Sequence, residues 1–310
     1  SSAIHLGGGN NTLRFTGGSI TVDGIFGVTG GSEADTVTFD STVTISLGSA
    51  AIDLGDGHNN LTVHGGGVTI TGALGITGGS GIDTLLFDTD FALAVGSAAI
   101  NLGDGDNILT FDGGSIIATG AFDLATGNGD DTVAFDTAVV FKAGSSAIHL
   151  GGGNNTLRFT GGNIQTTLGA LDITTGDGAD HLIFDGLDNI TLAGAFGVTT
   201  GSGDDTLLLD NGIAISAASS VIDLGDGANS LAVHGGGMAV TGALGITGGS
   251  GIDTLHFDTD FALTVASSGI DLGAGANSLT VHGGSIAVTG ALGITGGSGI
   301  DTLLFDTDFA

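Results

Sequence analysis

The chain has no cysteine, no proline, no tryptophan and no tyrosine, and only three basic residues and one glutamate in 310 positions. Each absence narrows the reading. Without cysteine there is no disulfide framework. Without tyrosine and tryptophan the rings that serve as sugar platforms are missing. Arg14, Lys142 and Arg158 stand against a formal net charge of −30, so nucleic acid would be repelled and is not an expected partner. Strong helix formers other than Ala and Leu are nearly absent, and no substantial helix is expected. No run of about 18 apolar residues occurs, so no membrane span is expected. What is present is 63 glycines and a 41% hydrophobic fraction. That is too apolar for a disordered acidic tail.

Self-similarity dominates the chain. The stretches AIHLGGGNN, AIDLGDGHN and AINLGDGDN, with AIHLGGGNN again, place isoleucine at 4, 52, 100 and 148, a spacing of 48. Each such unit holds two related halves: IDLGDGHNNLTV from Ile52 aligns with ITGGSGIDTLLF from Ile76. The starting points fall at Ile4, Val28, Ile52, Ile76, Ile100, Leu124, Ile148, Ile173, Val198, Ile222, Ile246, Ile270 and Ile294. That makes thirteen units, 24 residues apart except for two steps of 25 around Ile173 and Val198.

Within a unit the apolar period is two, the strand signal. Ile52 and Leu54 flank Asp53, Leu61 and Val63 flank Thr62, and Val68 and Ile70 flank Thr69, with glycine-rich corners between the runs. Three short strands per 24 residues predict one coil of a parallel β-helix. A hairpin meander has no reason to repeat side-chain identity at that spacing, whereas stacked coils bring equivalent positions to about 4.8 Å. The expected fold is all-β: a right-handed parallel β-helix, or β-solenoid, of 13 coils over residues 1–310. The handedness comes from the crossover rule for parallel strands. Thirteen coils predict a rod roughly 60 Å long.

GGSGIDTLL at Gly78–Leu86 fits the pattern G-G-x-G-x-D-x-U-x, the calcium-binding nonapeptide of RTX-type β-rolls. The chain thus resembles RTX repeats in motif, although the spacing is 24 rather than nine. Its long, near-identical, Gly- and Asp-rich strand repeats resemble the repetitive surface proteins of bacteria: adhesins, autotransporter passengers, and surface-layer or matrix proteins. The resemblance implies an extracellular or cell-surface location and a structural role. It also implies calcium as the cofactor to look for.

Two ladders carry the candidate chemistry. In the corner ladder Asp35, Asp83, Asp131, Asp180, Asp205, Asp253 and Asp301 alternate with Asn, except where Asp180 meets Asp205. Alternation separates the charges and lets each Asn amide donate to a neighbouring carboxylate. Such rungs bond corner backbone amides, or they hold Ca²⁺ between coils with oxygen ligands. The second ladder follows the next strand and faces outward. It places His64, His234 and His282 among Asp rungs, and its run of Asp88, Asp112 and Asp136, read as uncompensated, is the surface candidate for a cation.

An enzyme is not expected, because carboxylates occur only in repeated rows with no cleft-forming insertion. An ice-binding face would need an unbroken Thr column. The column Thr29, Thr77, Thr174, Thr199, Thr247 and Thr295 is interrupted by Asp53, Asn101, Ala125 and His149. The expected function is a rigid extracellular rod serving an adhesin stalk, fibre, sheath or surface layer, with a calcium-dependent RTX-like module as the alternative. Residue 1 enters in repeat phase and residue 310 leaves in mid-phrase. The segment is therefore expected to continue as a longer rod, covalently or by axial stacking, with lateral contacts bridged by cations or made to cell-surface polysaccharide.

Overall fold

The structure is a computed structural model that describes residues 1–88, 91–137, 139–258 and 260–309. The fold is a parallel β-solenoid of about 13 turns, and its described residues include no helix. Two units follow one another along the chain, residues 1–151 and 152–310.

In the first unit the isoleucine column is in register: Ile52 pairs with Ile76 and Ile76 with Ile100. Beside it Leu61 pairs with Leu85 and Leu85 with Leu109. Alternation decides which side chains point inward: Thr84–Phe87 buries Leu85 and Phe87, and Ala92–Asn101 buries Leu93, Val95, Ala98 and Ile100, slipping by one at Gly96–Ser97. The interior is filled by a phenylalanine stack, with Phe87, Phe111 and Phe135 rings 4.6 and 5.1 Å apart. Val63 interrupts the stack between Phe39 and Phe87, and an apolar cavity of about 40 Å³ lies there.

The second unit repeats the plan. Val198, Ile222, Ile246 and Ile270 stack in register and are all buried. The spacing of 25 appears as Leu157 opposite Leu182 and Leu182 opposite Leu207. The extra residues leave the ladder through loops. Leu168, 81% exposed, stands between the strands Asn163–Thr166 and Leu171–Asp177.

Two details depart from the sequence reading. In several coils the third strand runs on into the first strand of the next coil, as in Val43–Gly55, Gly67–Thr77 and Gly237–Thr247. The bend falls at glycines such as Gly48 and Gly242, where a Cβ would meet a carbonyl oxygen of the preceding coil at 2.1 and 2.6 Å. Only glycine lets the backbones pass so closely. The third strand also does not step by 24. Ile45 pairs with Val68, Val68 with Leu93, and Leu93 with Ile116, steps of 23, 25 and 23. Alternate coils here differ by one residue at this corner, so the local structural repeat is a pair of coils; in the second unit the steps from Ile164 to Ile190 and Ile215 are 26 and 25.

Candidate functional site

The corner-ladder candidates sit on the glycine-rich corner turn that follows the first strand of a coil. The rung at its end lies inside the solenoid wall: Asn59, Asp83 and Asn107 are at most 2% exposed. The Asn59 amide N–H donates to Asp83 Oδ1 at 2.9 Å, Asp83 N–H to Asn107 Oδ1 at 2.9 Å, and Asn107 N–H to Asp131 Oδ1 at 2.7 Å. In the second unit the bonds run from Asn155 to Asp180, Asp180 to Asp205, Asp205 to Asn229, and on to Asp301, at 2.7–3.0 Å. Asp35 serves two donors, Asn11 N–H at 2.8 Å and Gly31 N–H at 2.9 Å. The corner ladder is therefore a side-chain-to-backbone clamp, in which a rung side chain accepts an amide of the preceding coil that the turn would otherwise bury without a partner.

The asparagine amides do not reach across to the carboxylates, as the alternation suggested. Asn59 Nδ2 donates within its own turn, to Gly55 O at 2.9 Å and Gly57 O at 3.3 Å. Asn107 Nδ2 does the same to Gly103 O and Gly105 O at 3.0 and 2.8 Å. Positive φ at Gly55 and Gly57, 80° and 100°, bends the turn tightly enough for this reach, a conformation glycine takes without strain.

Asp and Asn rungs come with different partners five residues upstream. Every Asn follows a leucine: Leu6, Leu54, Leu102, Leu150, Leu224 and Leu272. Every Asp follows a glycine or threonine: Gly30, Gly78, Thr126, Thr175, Thr200, Gly248 and Gly296. The packing explains the rule. A Cβ on Gly78 would stand 2.3 Å from Asp83 Oδ2 and 2.2 Å from Leu102 O, and Gly248 sits likewise against Asp253 Oδ2 and Leu272 O. The carboxylate leans over the space a leucine would occupy. This covariation is legible in the sequence, but it escapes a reading that follows one column at a time.

Burial raises the carboxyls of five corner rungs. Desolvation is the largest cause at Asp83, Asp180 and Asp253, and it pushes Asp131 and Asp205 up to about 6. The accepted amide bonds oppose it, because they favour the charged form.

On the rim of the turn the clamp runs the other way. Ser80 N–H and Oγ–H donate to Asp56 Oδ1 at 3.2 and 2.7 Å, and Asp130 N–H donates to Asp106 Oδ1 at 2.9 Å. Each turn is thus held from both neighbours, by rungs reaching toward the lower-numbered coil and rim residues reaching toward the higher.

The second ladder lies outside the buried strand residues Val63 and Phe87; His64, Asp88, Asp112, Asp136, Asp210, His234 and His282 are half-buried and Asp306 is exposed. His64 Nδ1 lies 2.8 Å from Asp88 Oδ2 and His234 Nδ1 3.1 Å from Asp210 Oδ1, while His282 and Asp306 stand 4.0 Å apart. Arg14 pairs with Asp40 at 3.1 Å. In the run of Asp88, Asp112 and Asp136, Asp88 has a basic partner. Asp88 faces His64, Asp112 accepts the Thr137 hydroxyl, and Asp112 and Asp136 are neighbours in register. His64 and Thr137, each one coil away in the chain, reach two members of the run, which the column alone did not show.

The ten aspartates singled out from sequence therefore fall into two places. Asp35, Asp83, Asp131, Asp180, Asp205, Asp253 and Asp301 line the turn wall, and Asp88, Asp112 and Asp136 line the outer column. Among the described residues no three His, Asp or Glu side chains converge on a point that could hold a metal ion. The donor set of a corner rung is one carboxylate with backbone carbonyls, short of the six to eight oxygens calcium takes. No protein-family model, no curated protein and no solved structure is detectably similar to this chain.

Proposed function

We propose that the chain is a structural module of a bacterial extracellular or cell-surface protein: a rigid rod that builds an adhesin stalk, fibre, sheath or surface layer, without a catalytic role. The observation that carries this reading is where the turn side chains go. Rung after rung, Asp and Asn accept the backbone amide of the adjacent coil. Polar groups used in this way stiffen a coil against its neighbours and add no cleft. A solenoid of this kind gains stability from nearest-neighbour interfaces and extends by repetition.

The charge of −30 keeps lateral surfaces apart at low ionic strength. Divalent cations would bridge them, and the outer column of Asp88, Asp112 and Asp136 offers in-register carboxylates for calcium, which favours a calcium-dependent form of the same module as a second reading. Association is then axial, coil on coil, or lateral through cations, with cell-surface polysaccharide as a further contact. Small-angle scattering and negative-stain microscopy across a calcium chloride series test this. Thin extended particles that bundle as calcium rises are expected. Isotropic particles, or bundling that ignores both calcium and chelator, would contradict the rod and the bridging respectively.

A further inference from the structure

The corner rungs raise a problem of donors that the clamp leaves unsolved. Asp83, Asp180, Asp205 and Asp253 each give Oδ1 to a backbone amide, but Oδ2 is buried and accepts from nothing. At the Asn rungs the corresponding atom is Nδ2, a donor, and it is surrounded by carbonyl oxygens. At Asp83 and Asp253, Oδ2 and the next coil's leucine carbonyl both lie within 2.8 Å of the place where a glycine Cβ would stand. Two acceptors brought beside the same glycine in a buried wall repel unless a proton lies between them.

The threonine coils face the same difficulty. The hydroxyls of Thr175 and Thr200 stand beside Asp180 and Asp205. They donate elsewhere, to Thr200 O and Leu224 O at 2.7 Å each. A hydroxyl has one proton to give, so these can only accept from the neighbouring carboxyl.

We propose that Asp83, Asp180, Asp205 and Asp253 carry a proton in the folded chain and act as analogues of the asparagine rungs, which makes the solenoid wall a pH-responsive element that tightens in acid. In the glycine coils Oδ2–H donates toward Leu102 O or Leu272 O. In the threonine coils it donates to the hydroxyl, which passes a bond to the next carbonyl. The surrounding charges do not supply a substitute. Asp83 faces His58 and Asp56, Asp180 faces His181 and Asp205, Asp205 faces Asp180 and Asp204, and the influences at Asp253 are burial and Asn229 alone. The upward shift at Asp205, to about 6, means a roughly hundredfold tighter hold on the proton than an open carboxylate has. The proposal goes beyond the structural role and does not depend on it, since it concerns the wall of the solenoid whatever the solenoid serves.

The test is thermal unfolding of the intact chain from pH 4.5 to 8.5 in chelator. It is run beside Asp83→Asn, Asp205→Asn, Asp253→Asn and their combination. The parent should melt higher as pH falls from 8 through 5. The combined variant should melt above the parent at pH 8 and show a flatter pH profile, because Asn supplies the missing donor at every pH. A variant less stable than the parent at pH 8, with an unaltered slope, would overturn the proposal. So would a parent whose melting temperature rises with millimolar calcium chloride at pH 8 while the combined variant does not respond, since a cation would then stand where the proton is placed. Carboxyl-carbon NMR of the unmodified chain gives an answer that needs no variant to fold. Asp83 and Asp205 should titrate well above the exposed aspartates, and titration together with them would refute the idea.

Discussion

The turns ending at Asn59 and Asp83 lie one coil apart and share a backbone. Both bend at two glycines of positive φ, Gly55 and Gly57 in one, Gly79 and Gly81 in the other. Both accept the amide of the preceding rung at 2.8–2.9 Å. They differ in the second polar atom. Asn59 turns Nδ2 onto its own glycine carbonyls, leaving room for Leu54, whereas Asp83 sets Oδ2 against Gly78. Behind the turns the core differs as well. Phe87 stacks on Phe111 and lies 4.8 Å from Phe91, while Val63 leaves a cavity. One coil is complete by itself in its hydrogen bonds but loose in its core, and the other is tight in its core but short of a donor. Alternating them lets each coil compensate for the next.

The largest effect should come from the core half of this contrast. Phe87→Ala removes a buried ring and enlarges an existing void, at an expected cost of about 3–5 kcal/mol in urea unfolding. A cost below that of Val63→Ala would mean that the Phe stack does not hold the coils together.

Next comes pH. The folded-state pKa of Asp131 and Asp205 is raised to about 6 from 3.8. The native state therefore binds protons that the unfolded state releases between those values. Stability should rise as pH falls from 7 to about 5, by up to about 1.4 kcal/mol per rung and pH unit, and this gain is lost as pH rises through 6. Calorimetric melting at several pH values reads the slope directly, and a slope of the opposite sign would point to ionised, stabilising carboxylates.

Asn59→Asp turns the complete coil into the deficient kind. It faces a carboxylate oxygen with Gly55 O and Gly57 O and makes three successive Asp rungs. A loss of about 1–2 kcal/mol is expected at pH 8, shrinking at pH 5, where a protonated carboxyl can donate as the amide did. The smallest change expected is a gain. Val63→Leu should fill part of the cavity and stabilise by less than about 1 kcal/mol, and a clear loss would show that the wall around it cannot accept the larger side chain.

Much of the fold was legible because period-two alternation inside a 24-residue repeat admits few arrangements. The column from Val28 to Ile270 is buried as expected, while Ile4 and Ile294 are only partly so. The 23 and 25 alternation of the third strand was less visible. Its insertions sit at corners such as Gly65–Gly66 against Phe91, where one residue more or less leaves the isoleucine spacing untouched. The corner ladder was found by column, but the direction of its bonds was not, since an Asn amide can reach a neighbouring carboxylate or its own turn with equal chemistry. Glycine dihedrals decide between them, and these depend on how closely the next coil approaches. Similarly, the outer column gives no sign in sequence that Thr137 bonds Asp112 from 25 residues away.

The central claim is that rung side chains clamp the backbone of the adjacent coil, and hydrogen exchange of single amides tests it most directly. The amides of Asn59, Asp83, Asn107 and Asn229 belong to turns, where exchange is ordinarily fast, yet each donates to a buried side-chain oxygen at 2.7–3.0 Å. The account predicts protection factors for these amides comparable to those of the core-strand residues Leu61 and Leu85, with Asn107 losing its protection in Asp131→Ala while Leu61 keeps its own. Rapid exchange of the rung amides in the unmodified protein, with the strands protected, would contradict it.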